Sequence, residues 1–124
     1  MNGTAMQMRM HFVIYSAFDI VVVPFPFTDT NASKRRPALV LSDFHLFGDI
    51  IQHSILAMIT TKDHSSWPMD IKITELKSTG LEKPCIVRMK LFTLDNQLIL
   101  RKMGHLHEDD QMHVSKALKK VFPF

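Results

Sequence analysis

With 124 residues, 46% of them hydrophobic, the chain can bury one core and leaves little room for a second domain. Fifteen basic residues against twelve acidic ones give a formal charge of +3, a mild asymmetry that leans toward an anionic partner such as nucleic acid without deciding it. A single cysteine, Cys85, excludes an internal disulfide and makes the cytoplasm the default compartment, and no basic face on a long amphipathic helix argues for a membrane surface.

In chain order, residues 1–17 carry the apolar patch HFVIYSAF, too short to span a bilayer and lacking a convincing cleavage region. They read as a leader or an extra strand ahead of one domain over residues 18–124, and Met8 and Met10 leave open a start further downstream. Ile20 to Val23, β-branched throughout, is predicted to be a strand that halts at Pro24 and Pro26, which lack a ladder donor. Thr28, Asp29, Thr30, Asn31 and Ser33 follow, side chains that bond their own backbone and shape a loop. That loop is expected to end in Lys34, Arg35 and Arg36. Arg36 precedes Pro37 and is therefore pushed toward extended backbone, at the mouth of a strand over Ala38 to Ser42. An arginine fixed there offers a planar donor fork to a phosphate.

The segment DFHLFGDIIQ reads as a connection with a short helical turn. Ser54 to Thr61 is the next strand, and its apolar run on both faces places it near the centre of a barrel or sandwich. TKDHSSWPMD interrupts the pattern, Asp70 to Thr74 alternates as a half-exposed strand, and Ser78, Thr79 and Gly80 signal a turn. Cys85 opens a long strand to Leu94 and reads as a packing residue in preference to a reactive thiol. Leu98 to Leu100 forms a short strand or a turn of helix. From Asp109 to Val121, apolar Val114, Ala117, Leu118 and Val121 share one helical face, with acidic residues at the start and lysines toward the end. Five or more short antiparallel strands and one late helix imply a mostly β, partial barrel closed by a C-terminal α-helix.

Four blocks in one order, DIVVVPFPFTD at 19–29 with KRRPALVLS at 34–42, ILAMITT at 55–61, SWP at 66–68 and VRMKLFTLD at 87–95, resemble the MazF/PemK (Kid) family of type II toxin–antitoxin toxins. The resemblance runs over about residues 18 to 121 and implies an SH3-like barrel of the CcdB/Kid/MazF type that acts as a homodimer. It also implies an endoribonuclease that cuts single-stranded RNA without metal or other cofactor, leaves a 2′,3′-cyclic phosphate and a 5′-hydroxyl, and so inhibits translation and growth. The implied partners are RNA and a small acidic antitoxin, with DNA bound only through the antitoxin complex.

Carried over residue by residue, Arg36 matches the family's catalytic arginine and Thr60 its strand threonine, with Thr61 as understudy. Ser33, Lys34 and Arg35 would position the RNA backbone, though Lys34 and Arg35 read equally well as solvated charge. Arg88 lies where some relatives use an arginine as proton donor. Those relatives carry an aspartate base two residues on, where this chain has Lys90, so the proton acceptor stays open. His64 is one histidine worth testing as acid or base, whereas His105, His107 and His113 read as solvated or capping and complete no zinc pattern. Trp67 either stacks a base or packs as a lid. Phe18 stands where relatives usually have glycine, and since phenylalanine disfavours positive φ, the start of the first strand is expected to differ locally. Two rival readings share the fold: a toxin that binds a protein, as gyrase poisons do, and an inactive member of the family.

Overall fold

The computed structural model describes residues 14–26, 34–61 and 66–124. One antiparallel sheet of six strands, ordered β4-β5-β3-β2-β1-β6, curls into a half-barrel of the SH3-like MazF/Kid/CcdB type. The strands are β1 Asp19–Phe25, β2 Lys34–Val40, β3 His53–Thr61, β4 Ile71–Lys72, β5 Cys85–Asp95 and β6 Arg101–His105. A π-helical turn at Phe44–Gly48 runs into a single helical turn at Asp49–Ile51, a 3-10 turn spans Asn96–Leu98, and the C-terminal helix covers Glu108–Val121.

The sheet has apolar side chains on both faces, which explains the unbroken ILAMI run of β3 at its middle. On one face Ile20, Leu39, Ala57, Ile59 and Val87 pack beneath Val114 and Ala117 of the C-terminal helix. On the other, Val21, Val23, Ala38, Val40, Leu56 and Leu94 enclose Tyr15 and Ile99. Tyr15 therefore belongs to the packed domain, residues 14–17 form no strand, and residues 1–13 lie outside the described residues.

Three elements depart from the sequence reading. β1 continues through Pro24 to Phe25, and β2 begins at Lys34, so the basic triplet sits in a strand paired with Phe25, Pro24 and Val23. Pro24 in β1 and Pro37 in β2 are tolerated because each lies past one neighbour: β6 pairs with β1 only as far as Val22, and β3 pairs with β2 only from Ala38. β6, with its charges and Gly104, carries no strand signature. It forms because the turn before Gly80 lies against it, with His105 donating to the Ser78 carbonyl at 2.9 Å. A Cβ at Gly104 would stand 2.6 Å from the Thr79 carbonyl oxygen, which only glycine avoids.

Phe18 corrects the third expectation. It does adopt positive φ, at 72°, and the turn into β1 is kept. Its N–H donates to Val40 and its carbonyl accepts from Leu106, at 2.6 and 2.9 Å, while the ring packs against the helix-side core.

Candidate active site

Strand alternation decides which side chains meet. In β2, Arg36 falls on the same face as Ala38 and Val40, and in β3 Thr60 falls with Met58 and Leu56. Ala38 pairs with Met58, so extending that register by two residues sets Arg36 opposite Thr60. Met58 pairs in turn with Arg88 of β5. Beyond the apolar cluster, this face therefore changes from packing residues to polar ones where the strands splay. An irregularity between Ala57 and Met58 leaves Met89 and Lys90 unpaired opposite β3 and admits Lys90 to the same hollow.

The hollow has a volume of about 200 Å³ and is lined by Phe25, Arg36, Met58, Ile59, Thr60, Arg88 and Lys90. Three cations and one hydroxyl face it, and among the described residues lining it there is neither a carboxylate nor an imidazole. The Arg36 guanidinium carbon lies 5.1 Å from the centre of the Phe25 ring, a contact that orients the fork without consuming its donors.

Arg88 is held differently. It is buried, and its Nε and Nη2 donate to Asp70 Oδ1 and Oδ2 at 3.2 and 3.0 Å. Burial by itself raises the Asp70 carboxyl. Hydrogen bonds from Arg88 and from the Trp67 N–H, with the Arg88 charge, outweigh that and hold it below the ordinary aspartate value. Asp70 is thereby committed as an ionised partner and not as a free base.

The remaining sequence candidates separate. Arg35 alternates to the opposite side of β2 and lines a second hollow with Val22, Pro37, Leu100 and Arg101, a hollow that Arg36 also borders. Thr61 pairs with Cys85 and so belongs to the helix-side face. Lys34 is exposed at the start of β2, and Ser33 and His64 lie outside the described residues. His105 gives its Nδ1 to the buried Asp19 at 2.9 Å, and His107 caps the C-terminal helix through the Asp109 N–H. Cys85 is buried, and that burial pushes its thiol up despite the charge of Lys83. Sequence reasoning missed Phe25 and Asp70. The first looked like part of a strand end, and the second lies eighteen residues from the arginine it grips.

Over residues 16–122 the chain matches the profile of a family described as PemK-like, MazF-like toxin of type II toxin–antitoxin system. No curated protein sequence matches it. Among solved structures, the MazE–MazF complex (form II) from Deinococcus radiodurans superposes with a TM-score of 0.67 at 18% identity, covering 89% of this chain and 96% of that one. An endoribonuclease in complex with its cognate antitoxin from a mycobacterial species gives 0.70 at 11% identity, covering 91% and 97%. The Mycobacterium tuberculosis toxin MazF-mt6 gives 0.66 at 19%, covering 86% and 97%. At such identities what is shared is the fold.

Proposed function

This chain belongs to the PemK-like, MazF-like toxins of type II toxin–antitoxin systems, and on that premise we propose that it is an endoribonuclease of single-stranded RNA. The observation that carries the proposal is that Arg36 and Thr60, from neighbouring strands, line one cationic hollow.

In this reading the ribose 2′-hydroxyl gives up its proton to solvent as its oxygen attacks the adjacent phosphorus, the bond to the 5′-oxygen breaks, and that oxygen takes up a proton from solvent. The products are a 2′,3′-cyclic phosphate and a 5′-hydroxyl. Negative charge builds on the non-bridging oxygens, where the Arg36 fork and the Thr60 hydroxyl donate hydrogen bonds. Lys90 adds positive charge that supports the same step without a metal ion, while the Arg88 charge is balanced by Asp70. Rate enhancement then rests on charge stabilisation, since Asp70 is already engaged by Arg88.

The same premise brings the partners. A second copy of the chain and a small acidic antitoxin would use its surface, DNA would be reached only through the antitoxin, and the setting would be cytoplasmic. Exposed Leu46, Ile50 and Phe124 offer apolar area for such contacts. Among the described residues no helix is long and apolar enough to cross a membrane.

The test is incubation of a long RNA with the purified protein in chelator. Defined fragments ending in cyclic phosphate are expected, with Arg36→Ala slower by about 100- to 1,000-fold and Thr60→Val by about 10- to 100-fold. Arg36→Lys is expected to resemble the alanine variant, because an ammonium cannot present the fork. RNA left intact by the unaltered protein would overturn the nuclease. It would favour the protein-binding toxin, a reading the lack of a described carboxylate or imidazole in the hollow also suits.

A further inference from the structure

Trp67 is the chain's one tryptophan, and it is 41% exposed although it belongs to neither apolar cluster. A lid residue would bury its ring in one of those clusters. Instead the Trp67 backbone is tied to Asp70 and its indole lies against Arg88. Its backbone N–H donates to Asp70 Oδ2 at 2.9 Å, and its carbonyl accepts from the Asp70 N–H at 3.3 Å. Asp70 takes both Arg88 donors, and the Arg88 guanidinium carbon lies 5.4 Å from the indole centre. The side chains of Trp67, Asp70 and Arg88, with the Trp67 backbone, thus close a triangle, and its Arg88 corner lines the Arg36 and Thr60 hollow.

We propose that Trp67 is a nucleobase-stacking platform beside the scissile phosphate, held in place by the Asp70 and Arg88 pair. The inference rests on the RNA reading above and adds the residue that takes hold of a base. A flat, partly exposed ring that is already ordered loses little entropy when a base lies on it, and stacking accepts every base because each has a π face. The guanidinium partner fixes the ring's orientation. Asp70 and Arg88 are positioning residues here, and Trp67 is the contact.

Because no second tryptophan contributes, the intrinsic fluorescence of the intact protein reports this contact directly. The probes are short 2′-O-methyl oligonucleotides of mixed sequence, which bind without being cut, and abasic strands of equal length. Binding is followed separately by the polarisation of a labelled oligonucleotide. Saturable quenching by the base-bearing strand, with none from an abasic strand that competes for the same site, is the expected result. Trp67→Ala should weaken binding roughly 5- to 100-fold and raise KM while leaving kcat nearly unchanged, with Trp67→Phe recovering most of it.

Equal quenching by the abasic strand, no quenching at saturation, or no binding at all would overturn the proposal and leave Trp67 to a protein partner. Cleavage by the unaltered protein without quenching sinks the platform alone. Quenching without cleavage sinks the nuclease alone.

Discussion

Asp70 and Arg88 meet side by side, two oxygens to two nitrogens at 3.2 and 3.0 Å, with 15% and 10% of their side chains exposed. A pair this enclosed is screened far less than a surface pair, and removing one partner leaves a charge without compensation. Asp70→Asn is expected to cost about 2 kcal/mol, between the values of exposed and fully buried pairs. Urea unfolding measures it. Adding Arg88→Met should return part of the loss, since the double variant strands no charge, and simple additivity of the two costs would contradict the coupling.

The same pair sets an acid limb of stability. The folded-state pKa of Asp70 lies below its ordinary value, so the stabilisation is fully present above the unfolded value of about 3.9. It is lost as pH falls through the lower folded value. The unaltered protein should therefore lose stability more steeply than Asp70→Asn below about pH 4. The gap between their urea midpoints, wide at neutral pH, is expected to narrow there, and a gap constant down to pH 3 would assign the pair no such role.

Much of this architecture is legible where local pattern and tertiary demand agree. The ILAMI run marks a central strand because both faces of β3 are covered, and the spacing of Val114, Ala117 and Leu118 marks the helix that covers one of them. That Arg36 and Thr60 come together in one hollow follows from strand alternation. What escapes is what depends on distant partners. β6 is held by β1 and the turn before Gly80, and its own residues, RKMGH, argue against it. Asp70 gains meaning only once β5 brings Arg88 alongside.

Phe18 carries a separable prediction. At φ of 72° a side chain costs roughly 1–2 kcal/mol that glycine avoids, yet the ring also packs against the core. Phe18→Ala should lose the packing and keep the strain, whereas Phe18→Gly loses the packing and sheds the strain. The glycine variant is therefore expected to be more stable than the alanine variant by about 1 kcal/mol, the reverse of their order in ordinary backbone. Thermal unfolding of the two decides it, and an alanine variant that melts higher would refute the strain.

Asp110 ties the C-terminal helix to the sheet. Wholly buried in the helix's first turn, it accepts from the Thr74 N–H at 3.0 Å, the Thr74 hydroxyl at 2.7 Å and the Glu75 N–H at 3.0 Å. Its negative charge also suits the positive end of the helix dipole. Asp110→Ala would take the shared acceptor from two backbone donors and a hydroxyl, and because Thr74 and Glu75 are themselves exposed, water replaces part of the loss and the cost falls at the low end of about 1–3 kcal/mol for each group. A total near 3 kcal/mol and a melting temperature lower by about 10 °C are expected. Asp110→Asn should fare little better, because an amide turns one acceptor into a donor facing an N–H. None of these groups lines the Arg36 hollow, so RNA cleavage per folded molecule should survive both changes. Melting unchanged in Asp110→Ala would mean that the helix is anchored by Val114 and Ala117 alone.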